Sequence, residues 1–153
     1  MKTFLFLLSI PFLIAFDIQA NSCKQSSNSF KNLEYIDNYD GDTITFNIPC
    51  VHPLLGSFIK VRLSGIDTAE IRGSRPCEKK VAHYTKNLVA SLLTSAHEIK
   101  LTNFQRGKYF RIVGDIFFDE KNLSELLLEK NLAITYNGRT KTNYDWCSLK
   151  LFQ

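Results

Sequence analysis

Two short stretches of strict alternation constrain the first half of the chain. In residues 42–48 (DTITFNI), Ile44, Phe46 and Ile48 share one face while Thr43, Thr45 and Asn47 share the other. In residues 58–63 (FIKVRL), Ile59, Val61 and Leu63 fall on one face. A period of two turns one face to a core and the other to water, which is how a half-buried strand reads. Residues 49–56 hold two prolines and a glycine and read as the connecting loop. The two segments are therefore expected to pair as a hairpin, with the entrance of the first strand beside the exit of the second.

The second half changes period. Over residues 78–93, Val81, Tyr84, Leu88 and Leu92, flanked by Ala82, Val89 and Leu93, follow helical spacing, with Lys79, Lys80, Lys86 and Asn87 on the wet side. Residues 97–104 and 109–117 read as a further strand pair turned at residues 105–108. Residues 122–130 open with N-L-S-E, a cap with an acid three places on, and read as a short helix. Asn131 suits its close because asparagine tolerates the left-handed conformation. Strands, helix, strands and helix without regular βαβ alternation predict an α+β, mainly β domain. The leading architecture is a small five-stranded OB-like antiparallel barrel with two or three helices.

The first 20 residues carry Lys2, an apolar run from Phe4 to Phe16 interrupted by Pro11, and Ala20 before a polar stretch. That pattern predicts a secretory signal peptide cleaved after Ala20, hence a secreted or periplasmic protein without lasting membrane association. Residues 21–32 read as a flexible polar arm and 33–153 as one domain. Cys23, Cys50, Cys77 and Cys147 include no C-x-x-C pair, so two disulfides are expected rather than zinc. Of the three connectivities, Cys23 to Cys50 with Cys77 to Cys147 is preferred, because the second bond would tie the tail to the body. Nineteen Lys and Arg against 15 Asp and Glu give a net charge of +4, compatible with a polyanionic partner.

Three clusters carry chemistry: Tyr39-Asp-Gly-Asp-Thr43 at a strand entrance, Arg62 with Asp67-Thr-Ala-Glu70 at a strand exit, and Lys108-Tyr-Phe-Arg111 at another strand. The hairpin would bring Asp42 and Asp67 to one rim. Two close carboxylates repel unless a proton or a cation lies between them. Oxygen donors of this kind suit a hard ion such as calcium or magnesium. An EF-hand is excluded, because Gly41 as its loop glycine would make Ile36 the first ligand and Asn47 the twelfth.

Across roughly residues 33–136 the chain resembles the thermonuclease family, the staphylococcal-nuclease-like OB-fold nucleases. The matching blocks are Asp40-Gly-Asp-Thr43, Val61-Arg-Leu63, Gly65-Ile-Asp-Thr68, Glu70, Tyr109 and Arg111, and a helix ending in Asn131-Leu-Ala133. The resemblance implies a calcium-dependent phosphodiesterase acting on DNA and RNA and leaving 3′-phosphates. It implies calcium held by Asp42, Asp67 and the Thr68 carbonyl, with Asp40 in the outer shell. Glu70 falls at the family's proposed general base, and Arg62 and Arg111 fall where the family grips the scissile phosphate. Two departures stand out: Ala69 where proline is usual, and Phe110 where glycine is common. Beside these, Lys108 is a candidate for attracting the backbone of a nucleic acid, and Tyr109 and Tyr136 for packing on sugar or base. Arg72, Arg75, Lys79, Lys80 and Arg106 would serve likewise if they border the site. His52, His83 and His97 are taken as structural or exposed. A monomer is expected. A binder that has lost catalysis, and a calcium-stabilised interaction module, are the competing classes.

Overall fold

The computed structural model describes residues 25–73, 75–107, 111–139 and 143–149. The predicted signal segment, Cys23, and residues Lys108, Tyr109 and Phe110 lie outside the described residues. The strands are β1 (Ser29–Phe30), β2 (Glu34–Asn38), β3 (Thr43–Asn47), β4 (Ile59–Leu63), β5 (Ile66–Thr68), β6 (Ile99–Arg106), β7 (Ile112–Phe118), β8 (Lys121–Asn122) and β9 (Ala133–Thr135). The helices are α1 (Pro53–Gly56), α2 (Pro76–Ser95) and α3 (Leu123–Glu129), with a 3-10 turn at Trp146–Ser148. The main sheet runs in the order β1-β6-β7-β4-β3-β2 with β8 on β7, and β5 pairs β9 separately.

The expected hairpin is present: β3 and β4 are antiparallel, with Thr43 opposite Arg62 and Ile44 opposite Val61. The outer strands of the sheet, β1 and β2, are consecutive in the chain. Leu33 lies between them and donates its N–H to Ile99 O of β6 at 3.1 Å, carrying the contact of β1 with β6 up to the start of β2. This is an OB-like, mainly antiparallel arrangement with two differences from expectation. First, β4 and β7 are parallel, because the chain crosses over through α2 and β6 before returning beside β4. Second, Ser29 and Phe30, placed by composition in a flexible arm, pair with Thr102 and Leu101 of β6. The ring of Phe30 stacks on Phe104, and that apolar contact outweighs the polar character of its neighbours.

Inward-facing Ile44, Phe46, Val61, Leu63, Leu101 and Ile116 form the centre of the core, each at most 1% exposed. Burying one such side chain contributes about 1.5–3 kcal/mol. Helix α2 closes one side through Val81, Ala82, Val89 and Leu93. Tyr84, expected on that face, is 44% exposed, and Thr85 is buried instead, its hydroxyl donating to Val81 O at 2.9 Å. A backbone acceptor one turn back lets threonine occupy the inner face. Helix α3 is capped by Asn122, whose Oδ1 accepts from Ser124 N and Glu125 N. Asn131 follows α3 at φ +56°, the left-handed residue expected there, and turns the chain into β9. Cys77 and Cys147 form a disulfide with Cα atoms 5.2 Å apart. No helix among the described residues is long and apolar enough to cross a membrane.

Candidate functional site

The turn before β3 places two acids at the rim of the hairpin. Asp40 Oδ1 accepts from the backbone N–H of Asp42 (3.1 Å) and Thr43 (2.8 Å), an Asx turn that fixes the strand entrance. Asp42 in turn accepts the backbone N–H of Leu63 on its carbonyl at 2.8 Å, which locks it to the end of β4. Gly41 is needed by close approach: a Cβ there would lie 2.5 Å from Thr85 Cγ2 and 3.0 Å from Thr68 Cγ2. The Asp-Gly-Asp pattern thus serves the turn and the packing of α2 at once.

Strand β5 brings the second pair of residues to the same rim. Its pairing with β9 sets Asp67 opposite Ile134 and Thr68 opposite Ala133. That ladder holds Thr68 extended, so the stiffening of a following proline is not required, and Ala69 instead packs in the core at 1% exposure. Arg62 joins the two acids: Nη1 donates to Asp42 Oδ1 at 2.5 Å and Nη2 to Asp67 Oδ1 at 2.7 Å. The other oxygen of Asp42 accepts the Thr68 N–H at 3.1 Å, and the Thr43 hydroxyl donates to Oδ1 at 3.1 Å.

Burial decides the electrostatics here. Asp42 is 1% exposed, and its carboxyl is raised to about 7, chiefly by burial and then by the charges of Asp40 and Asp67. Arg62 and the Thr43 hydroxyl pull the other way without prevailing. On Arg62 the balance is reversed: burial lowers its affinity for the proton, but Asp42 and Asp67 together more than offset that, and it is raised. Asp40, Asp42 and Asp67 set three buried carboxylates against one guanidinium, a cluster short of positive charge.

Arg62 also lines a cleft of about 660 Å³ with Glu70, Arg111 and Tyr136 among others, while Asp40, Asp42, Asp67 and Thr68 lie buried behind it and are absent from that lining. Both arginines come to this cleft from the β4–β7 pair: Arg62 lies beside Val113 in the parallel ladder, and Arg111 immediately precedes the first residue of β7. The Arg62 guanidinium carbon lies 5.8 Å from the centre of the Tyr136 ring. The structure thus brings together Asp40, Asp42, Asp67, Thr68 and Arg62, and next to them Glu70, Arg111 and Tyr136. Arg72, Arg75, Lys79, Lys80 and Arg106 are absent from the cleft lining. Arg75 pairs with Asp145 at 2.6 Å, and Arg72 lies over the Tyr39 ring. His52 Nδ1 accepts from Leu54 N and caps α1, while His83 and His97 are exposed.

Gln105, Asn137 and Arg139 also line the cleft and were missed by sequence reasoning. The signal available was the Asn137-Gly138 pair, a strong turn former directly after Tyr136 that would keep Arg139 close to it.

Whether a hard cation fits can be judged from the donors. Asp42 and Asp67 converge within bonding distance of one positive group, and the buried Thr68 hydroxyl oxygen has no hydrogen-bond partner among the described residues. Oxygen donors in negative excess fit such a cation. Among the described residues no cluster of three His, Cys, Asp or Glu side chains is poised for a metal, so two carboxylates would need a carbonyl and waters to complete the shell.

Compared with known proteins, residues 60–150 match the family model described as staphylococcal nuclease homologue. The match takes in Arg62, Asp67, Thr68, Glu70 and Arg111, while Asp40 and Asp42 precede it. No curated protein matches the chain. With more than half of its length matched and an OB-like fold around the matched residues, the chain belongs to the staphylococcal nuclease homologue family.

Proposed function

We propose that the protein is an exported, calcium-dependent nuclease that hydrolyses phosphodiester bonds of DNA and RNA with little sequence specificity and leaves 3′-phosphates. Membership of the family supports a nuclease-type, nucleic-acid-binding role in general. The observation that carries the finer reading is the meeting of two arginines and a carboxylate, Arg62, Arg111 and Glu70, on one open cleft. Cleavage at phosphorus gathers negative charge on the equatorial oxygens, so fixed cations on several sides lower the barrier. A planar guanidinium gives two hydrogen bonds to such oxygens and stays charged at any working pH. Arg62 and Arg111 therefore bind and orient the scissile phosphate. Glu70 accepts a proton from water as the water oxygen attacks phosphorus, the bond to the 5′-oxygen breaks, and the departing 5′-oxygen takes up a proton from solvent to leave as a hydroxyl. Tyr136 offers a ring face for a sugar or base. Asp42, Asp67 and the Thr68 carbonyl would hold calcium, with Asp40 behind them. When bound, calcium supplies further positive charge toward the phosphate.

Export rests on the pattern of the first 20 residues. It is read directly by sequencing the N-terminus of protein recovered from outside the cytoplasm, where a start at Asn21 is expected. The function is tested by incubating the protein with single-stranded DNA and RNA in calcium, in magnesium and in chelator, with end-group analysis of products. Cleavage in calcium is expected, lost on chelation and reduced at least about 100-fold in Glu70→Gln and Arg62→Ala. Calcium should also raise the melting temperature of the intact protein, a readout independent of turnover. Chelator-insensitive binding without cleavage would instead support a binder that has lost catalysis.

A further inference from the structure

Arg139 lies beyond the last strand, in a stretch without periodicity, yet lines the same cleft as Arg62 and Arg111. Its backbone is braced on both sides. Its N–H donates to Asn137 Oδ1 at 3.2 Å, and its carbonyl accepts from the Tyr136 hydroxyl at 3.0 Å. Gly138 makes the turn possible at φ +79°, where a side chain would be strained. Tyr136 is itself fixed to the barrel, its N–H donating to Gly65 O at 2.8 Å. One tyrosine thus serves two arginines: its face lies against the Arg62 guanidinium and its hydroxyl holds the backbone of Arg139.

Of the arginines that line or flank the cleft, Arg62 shares its guanidinium with Asp42 and Asp67, and Arg75, outside the lining, is paired with Glu78 and Asp145. Arg139 makes no salt bridge to a described residue, so its guanidinium is available to an external anion. The cleft volume of about 660 Å³ lies within the range of roughly 300–1,000 Å³ typical of sites for ligands far larger than one phosphate. The amides of Gln105 and Asn137 line the same space and offer neutral hydrogen bonds.

We infer that Arg139 forms a second phosphate subsite, which takes the phosphate next to the scissile one on a polynucleotide backbone. The inference rests on the reading of this cleft as a nucleic-acid site and makes it selective for chains over a single isolated phosphodiester. Arginine suits the role because its fork matches two phosphate oxygens. Its braced backbone leaves only side-chain torsions to be ordered when substrate arrives.

The test measures binding and turnover separately. In a Glu70→Gln background with calcium present, a fluorescent single-stranded DNA octamer is titrated over a range of salt concentrations. Arg139→Ala and Arg139→Gln are expected to weaken binding about tenfold at low salt. They should also reduce the slope of log affinity against log salt by about 0.7, the loss of one phosphate contact on a single strand. Arg139→Lys should restore the slope, and Lys121→Ala, a change of the same charge outside the cleft, should leave it intact. With Glu70 present, Arg139→Ala should lower the ratio of kcat/KM for the octamer to that for a dinucleoside monophosphate about tenfold, mainly through KM. An unchanged slope and ratio overturn the subsite. An Arg139-dependent slope without cleavage by any form of the protein keeps the subsite and removes the nuclease reading. Failure of the octamer to bind removes both.

Discussion

At the scale of single residues, Asp42 concentrates the conflict between folding and chemistry. Its folded carboxyl titrates near 7, well above the 3.8 of an unperturbed aspartate, so between those values the folded chain binds more protons than the unfolded one. Stability attributable to this group is therefore present at low pH and lost as pH rises from about 4 to about 7. In chelator, the melting temperature of Asp42→Asn relative to the parent should rise steadily over that window; parallel pH profiles for the two proteins would contradict the burial argument. Gly41 makes a second residue-scale prediction. Gly41→Ala would drive a methyl against Thr85 and Thr68, and overpacking of that kind costs about 1–3 kcal/mol, measurable by denaturant unfolding. Residues with a motif around them were the legible ones: Asp40, Asp42, Arg62, Asp67 and Glu70 stood in ordered blocks. The hydroxyl of Thr68, buried without a partner among the described residues, and the Thr85 contact depend on which helix packs above the turn, and no local pattern encodes that.

At the scale of elements, α3 acts at a distance on the rim. It leads through Asn131 into β9, and β9 holds the β5 strand that bears Asp67 and Thr68. Removing its cap by Asn122→Ala leaves Ser124 N and Glu125 N without their acceptor, and about 1 kcal/mol of stability should be lost in thermal or denaturant unfolding. Helix α3 was readable because a cap, an acid and a leucine run coincide. β5 and β9 were not readable, since each has only three residues, too few for alternation to be counted. The parallel direction of β7 beside β4 was hidden for another reason: pairing partners far apart in sequence leave no mark on either strand. Tyr84 was misplaced because helical spacing alone does not distinguish the two edges of an apolar stripe, and Thr85 took the inner position by bonding its own helix.

At the scale of the whole molecule, the disulfide between Cys77 and Cys147 closes a loop of 70 residues that contains most of α2, the β6–β7 pair, α3 and β9. Closing a loop of that length in the unfolded chain is worth about 4 kcal/mol in the chain-entropy account. Reduction, or Cys77→Ala with Cys147→Ala, should accordingly lower the melting temperature by several degrees or more, and equal midpoints for oxidised and reduced protein would show the bond to be dispensable. The general architecture was legible from period and element order, while the bond from Leu33 to Ile99 of β6 was not, because a single long-range bond leaves no pattern in the sequence. The parallel β4–β7 ladder has one further consequence. It fixes Arg62 opposite Val113 by register, whereas Arg111 stands one residue ahead of β7 and owes its place to the way the chain enters the strand. A chain of this kind is free to rewrite the loops around the cleft, Arg111 among them, while the place of Arg62 is carried by the ladder itself.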